Sequence, residues 1–205
     1  MAFKYNAESG LQLIARLKSR PVILNLSPLL PNNLTNEIIE ISGNTSTGKT
    51  LFLTECVAKC IIPQNYNGID AGVIYIDLDG QFNISKLVDI INRIIKDANS
   101  ELLNACLEKL TVINSCDSST LYVTLQRLKI FLTEHSSVGL IILDSVSANY
   151  WQDSISGGEK YMDKYTEKMI STLKLCVQDF KIPIIFTKHG YFHSKLQVNS
   201  HEVQN

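Results

Sequence analysis

Glu37-Ile38-Ile39-Glu40-Ile41-Ser42-Gly43-Asn44-Thr45-Ser46-Thr47-Gly48-Lys49-Thr50, followed by LFLTECVAKCI over residues 51–61, decides the fold. Residues 37–42 form a β-branched apolar run that predicts a strand, and residues 51–61 have the apolar content of a helix. Between them, Gly43 to Thr50 fit G-x-x-x-x-G-K-[ST] in full. Each residue type has a physical reason. Gly43 and Gly48 permit backbone angles that turn successive N–H groups toward phosphate oxygens, with Asn44, Thr45, Ser46 and Thr47 supplying the loop between them. Lys49 brings a positive charge to the β- and γ-phosphates, and the Thr50 hydroxyl is a ligand for Mg²⁺. The helix that follows directs its positive dipole end at the same anion. Strand, loop and helix in this order predict a nucleotide site that takes ATP with Mg²⁺.

Outward from this motif, four more apolar runs predict strands: VIYIDL (73–78), LTVIN (110–114), VGLIILD (138–144) and IPIIFT (182–187). Helical spacing separates them, in Ile84, Leu87, Val88, Ile91, Ile94 and Ile95, and again in Leu121, Leu125, Leu128 and Leu132. Near-continuous apolar strands alternating with amphipathic helices predict an α/β fold, with a mainly parallel sheet covered on both faces. A first helix is expected over about 8–19 with Leu13, Ile14 and Leu17 inward, and Pro21, Pro28 and Pro31 break the connection after it. A long helix over about 159–180 places Met169, Leu173, Cys176 and Phe180 on one stripe. One domain over 1–190 and a polar tail over 191–205 are expected.

Composition narrows the function. The chain has 205 residues, 45% apolar and 19% charged, which excludes disordered, collagen-like and disulfide-scaffold classes. Nineteen Lys and Arg against twenty Asp and Glu leave a net charge of -1, so no bulk attraction to nucleic acid or an acidic membrane is expected. The apolar runs are far shorter than the ~20 residues of a membrane-spanning helix. The start, MAFKYNAESG, has no secretory h-region. Five cysteines without a C-x-x-C pair argue against disulfide and zinc frameworks, and Cys56 and Cys60 are expected as small buried hydrophobes.

Two further carboxylates belong with the loop. Asp144 ends the apolar run Gly139-Leu-Ile-Ile-Leu-Asp144 and is the expected holder of the magnesium ion, directly or through water. Asp79, in Ile76-Asp77-Leu78-Asp79-Gly80, stands beyond another strand's carboxyl end, where α/β sheets keep their ligand crevice, and is placed to orient an attacking water. The only arginines are Arg16, Arg20, Arg93 and Arg127, so the arginine-rich lid of a small-molecule kinase is missing.

The order of phosphate loop, YIDLDGQF (75–82), LIILDS (140–145) and IIFTKH (184–189) resembles the ATPase core of the RecA-like eukaryotic strand-exchange recombinases and their paralogues. AESGLQLIARLKSR (7–20) and IILDSVSANYWQDSISGGE (141–159) are similar to one branch of those paralogues. The resemblance implies a RecA-like core, shortened at its C-terminal edge, in a nuclear accessory protein of homologous recombination repair. It implies work within a four-paralogue complex, direct contact with the D-type paralogue, and access to single-stranded or branched DNA mainly through that complex, with no membrane. It also defines departures. Where the recombinases carry a catalytic glutamate this chain has Asp79, one methylene shorter, and where they carry a phosphate-sensing glutamine it has His189, so weak or absent ATP hydrolysis is expected. In the stretch matching the first DNA-binding loop, Trp151 and Gly157 replace arginines, and Tyr150 with Trp151 either stacks on a base or serves burial and protein contact. Alternatives to a nucleotide-binding subunit are a nucleotide-free scaffold in the same complex and an autonomous DNA-dependent ATPase.

Overall fold

The structure, a computed structural model, describes residues 8–18, 20–96, 98–115 and 117–190, apart from the side chains of residues 13 and 16–18. The expected tail over 191–205 lies outside the described residues, as do Cys116 and the side chains of Leu13 and Leu17.

After helix α1 (Gly10–Lys18), strand β1 (Ile38–Gly43) runs into the phosphate loop and helix α2 (Lys49–Ile61). Strand β2 (Gly72–Asp77), helices α3 (Ile84–Ile95) and α4 (Ser100–Leu107), strand β3 (Leu110–Asn114) and helix α5 (Ser118–Glu134) follow. Strand β4 (Val138–Asp144), helices α6 (Tyr150–Ile155) and α7 (Met162–Val177) and strand β5 (Ile184–His189) complete the order. All five predicted strands form, with β3 and β4 matching at both ends and the others shifted by one or two residues. The predicted 159–180 helix is α7 followed by a short 3-10 turn over Gln178–Phe180.

The sheet is wholly parallel, in the order β1-β5-β4-β2-β3. Strand alternation sends successive β4 side chains to opposite faces. Ile141 and Leu143 join Ile74, Ile76 and the buried stripes of α5 and α7, whereas Leu140 and Ile142 join Val73, Tyr75 and the buried faces of α2 and α3. Because both faces are covered, β4 is buried along its whole length. Each fully buried Leu or Ile contributes roughly 1.5–3 kcal/mol of transfer free energy, which holds the strand ends as a rigid platform.

Helical spacing by itself does not fix burial. Ile84 and Ile94 flank the α3 stripe of Leu87, Ile91 and Ile95 and face solvent, and Ile14, expected inward on α1, is half exposed. Cys176 on α7 is only partly buried. Two short helices, α4 and α6, were not predicted. The Asn99 side chain caps α4 by accepting from the Leu102 amide, a cap that Asn99-Ser100-Glu101 carries in sequence. Arg20 ties the proline-broken connection to the core by donating to the Val138 and His135 carbonyls, each at 3.1 Å, and to the Leu132 carbonyl, with its guanidinium 4.8 Å from the Phe180 ring centre. Cys56 and Cys60 are buried as expected, and burial pushes the Cys56 thiol up to about 12 and the Cys60 thiol higher than its usual range. Among the described residues no group of three or more His, Cys, Asp or Glu could hold a metal, and no helix is long and apolar enough to cross a membrane.

Candidate nucleotide-binding site

A parallel sheet brings the carboxyl ends of all its strands to one edge. A cleft of about 700 Å³ opens there, lined by the loop residues Thr45 to Thr50 and by Asp79, Asp144 and His189 from three other strand ends.

Of the two loop glycines only Gly48 takes a backbone angle that requires glycine, whereas Gly43 is set by close packing. Gly48 sits in the left-handed region at φ 88°, and a Cβ added at Gly43 would meet the Thr47 hydroxyl oxygen at 3.0 Å. Ser46 also takes a positive φ, of 62°. Gly48 precedes α2 without any side-chain cap, so the first-turn amides of α2 face the cleft with no capping oxygen. The Lys49 ammonium donates to the Gly43 and Asn44 carbonyls at 2.9 and 2.8 Å, which holds its charge inside the loop. An uncapped helix N-terminus, a cation held at its mouth and tight glycine turns fit a nucleotide's phosphates.

The pair expected to hold magnesium, Thr50 and Asp144, is in contact. Thr50 Oγ1 donates to Asp144 Oδ2 at 2.8 Å across 94 residues of sequence. Asp144 is 2% exposed and accepts two more hydroxyl bonds, from Tyr75 at 2.7 Å on Oδ2 and from Thr187 on Oδ1. A hydroxyl and a buried carboxylate in contact form an all-oxygen donor set of the kind Mg²⁺ takes. Tyr75 and Thr187 escaped the sequence reading because each sits inside an apolar strand run, where a tyrosine or threonine reads as core. Burial raises the Tyr75 hydroxyl far above its usual range, helped by the Asp144 charge and hydrogen bond, so it stays a donor.

Asp77 and Asp79 have separate tasks. Asp77 accepts from the Gln81 and Phe82 amides at 3.2 and 3.0 Å and so closes the turn after β2, with Gly80 at φ 64°. That turn holds Asp79 over the cleft, with its Oδ2 3.6 Å from His189 Nε2. Burial raises the Asp79 carboxyl above the usual carboxylate range, His189 opposes this, and the Asp144 and Asp77 charges add to it. His189 is placed by its own amide, which donates to Ser147 Oγ at 3.0 Å. The next residue, Gly190, packs so close to the loop that an added Cβ would meet Asn44 Oδ1 at 2.8 Å.

The aromatic pair after β4 divides. Tyr150 is 5% exposed, donates to the Lys160 carbonyl at 2.6 Å and packs edge-on against Tyr165 at 5.4 Å. Trp151 is 62% exposed, and Ile155, one turn along α6, is 85% exposed. Tyr150 therefore takes the burial role and Trp151 faces outward.

Comparison with known proteins agrees with this geometry. The Rad51 family model matches residues 26–200. The mouse DNA repair protein XRCC2 is 32% identical over 187 residues, which cover 88% of this chain and 67% of that protein. The XRCC2 homolog of Arabidopsis thaliana is 22% identical over 94% of this chain and 65% of its own length, and the human DNA repair protein RAD51 homolog 2 is 31% identical over 76% and 42%. The chain thus spans about two thirds of the first two relatives and less than half of the third. Since the family match runs from the connection before β1 to beyond the end of β5, through every strand of the sheet, the chain belongs to the Rad51 family.

Proposed function

We propose that this chain is a nucleotide-binding accessory subunit of a recombinase-paralogue complex that supports homologous recombination repair of double-strand breaks and stalled forks in the nucleus. ATP with Mg²⁺ is held at Gly43–Thr50 and Asp144 and stabilises an interface with neighbouring paralogues, the D-type paralogue first among them. Single-stranded or branched DNA is met mainly through the assembled complex.

The observation that carries this reading is the contrast within one cleft. The binding half, Lys49 with the loop and Thr50 with Asp144, is assembled, while the hydrolytic half has a shortened carboxylate, Asp79, facing a histidine at 3.6 Å. A carboxylate that is one methylene short and engaged by a cation-forming ring is poorly set to hold a water in line, and a displacement of about 1 Å costs on the order of a hundredfold. ATP then acts as a bound cofactor with slow turnover.

The test is to purify the chain with its paralogue partners, denature the complex and quantify released nucleotide. About one ATP or ADP per chain is expected, and Lys49→Ala should eliminate it. A complex that supports recombination while carrying no nucleotide would overturn the reading.

A further inference from the structure

Asp144 is gripped by more groups than the phosphate loop provides. A carboxylate offers roughly four lone-pair sites. Thr50 and Tyr75 take two on Oδ2, and Thr187 takes one on Oδ1, leaving one for a magnesium ion or its water. Thr50 belongs to the loop itself. Tyr75 and Thr187 arrive from elsewhere, from β2 and β5, the two strands that flank β4 in the sheet.

We infer that Tyr75, with Thr187, is a positioning residue for magnesium: the two hydroxyls clamp the Asp144 carboxylate from neighbouring strands and fix the lone pair that it turns toward the metal. The inference rests on the proposed ATP and Mg²⁺ site. The Tyr75 side chain is fully buried, so its hydroxyl has no water as an alternative partner, and its ring is held against Phe82 at a centroid distance of 4.5 Å. The parallel register pairs Tyr75 with Ile142, two residues before Asp144, which carries the long phenol side chain forward to the carboxylate. A phenylalanine at this position would satisfy packing equally well, so packing alone does not account for the hydroxyl. Thr187 has the same property: it is fully buried, and valine would fill its volume. Without these two donors only Thr50 restrains the carboxylate about its terminal torsion, a broad and soft degree of freedom. Groups that orient a metal ligand without touching the metal typically change metal affinity by tenfold to a hundredfold.

The test uses the full chain, purified with its partners, and a fluorescent ATP analogue titrated in EDTA and at graded MgCl₂. Tyr75→Phe should raise the half-saturating Mg²⁺ concentration by about tenfold while leaving affinity in EDTA within twofold of wild type. Thr187→Val should shift Mg²⁺ dependence in the same direction, and it carries the test should Tyr75→Phe lower the yield of folded protein. If either folded variant keeps the wild-type Mg²⁺ dependence, the clamp is overturned. A loss of affinity equal in EDTA and in Mg²⁺ also overturns it, because that pattern belongs to general loosening of the site. Wild-type complex that binds no analogue would overturn the nucleotide reading and the clamp with it, an outcome distinct from a wild-type Mg²⁺ response that the variants share.

Discussion

His189 Nε2 lies 3.6 Å from Asp79 Oδ2, joining the end of β5 to the loop after β2 over the top of β4. The contact sets the carboxylate expected to orient a water against a histidine at the edge of the candidate nucleotide cleft, and on the proposed function it has consequences for turnover and for stability.

Turnover should rise when both departures are reversed. Asp79→Glu restores the missing methylene, and His189→Gln removes a ring that competes for the carboxylate. The double variant should hydrolyse ATP on the order of ten to a hundred times faster than the wild type, with each single variant falling short of it. Phosphate release from the purified complex measures this, and an unchanged rate would show that hydrolysis is limited elsewhere.

Stability should depend on the same carboxylate. Burial raises the folded-state pKa of the Asp79 carboxyl above its unfolded value, so the folded state prefers the protonated form. The ionised group therefore destabilises the fold at neutral pH, and that penalty disappears as pH falls through the raised folded value toward the usual carboxylate range. Asp79→Asn should raise the melting temperature of nucleotide-free protein at pH 7.5 and lose that advantage on acidification. Thermal unfolding across a pH series checks the sign.

Lys49→Ala separates binding from folding. The ammonium contacts only its own loop carbonyls among the described hydrogen bonds, so its loss should leave the melting temperature of the nucleotide-free chain nearly unchanged. Binding of fluorescent ATP should fall below detection. Co-purification with paralogue partners, followed in parallel, then reports whether assembly needs nucleotide.

The neighbouring aromatics predict opposite outcomes. Tyr150→Ala removes a side chain packed on Tyr165 and hydrogen-bonded to Lys160, and should cost about 3–5 kcal/mol in denaturant unfolding. Trp151→Ala removes an outward-facing ring and should stay within about 0.5 kcal/mol. If Trp151 contacts a partner or DNA in the assembled complex, the alanine variant will weaken that binding without loss of fold, which pull-down and DNA-binding assays distinguish.

A core control calibrates these values. Ile142 is fully buried in the central strand, and Ile142→Ala should cost about 2–5 kcal/mol through lost transfer free energy and the cavity left behind. A smaller cost would mean that the α2 and α3 face of the sheet collapses around the gap.

The amino-acid sequence by itself determined the phosphate loop from Gly43 to Thr50, the five strands and the helices of the alternating pattern. These are written in residues close together along the chain, where glycine conformational freedom and apolar periodicity act locally. The same locality explains its errors. Period counting placed Ile14 inside because it cannot see where a neighbouring element stops. Only the tertiary structure decided the sheet order, and with it every relationship that gives the cleft its character. Parallel pairing set β4 between β2 and β5, so Tyr75 and Thr187, 69 and 43 residues from Asp144, reach one carboxylate, and Asp79 meets His189 above it. It also separated Tyr150 from Trp151, adjacent in sequence, by turning one ring into the core beside Tyr165 and the other toward solvent. Such contacts depend on which strands become neighbours, and that is fixed by burying both faces of the sheet at once rather than by any local run of residues.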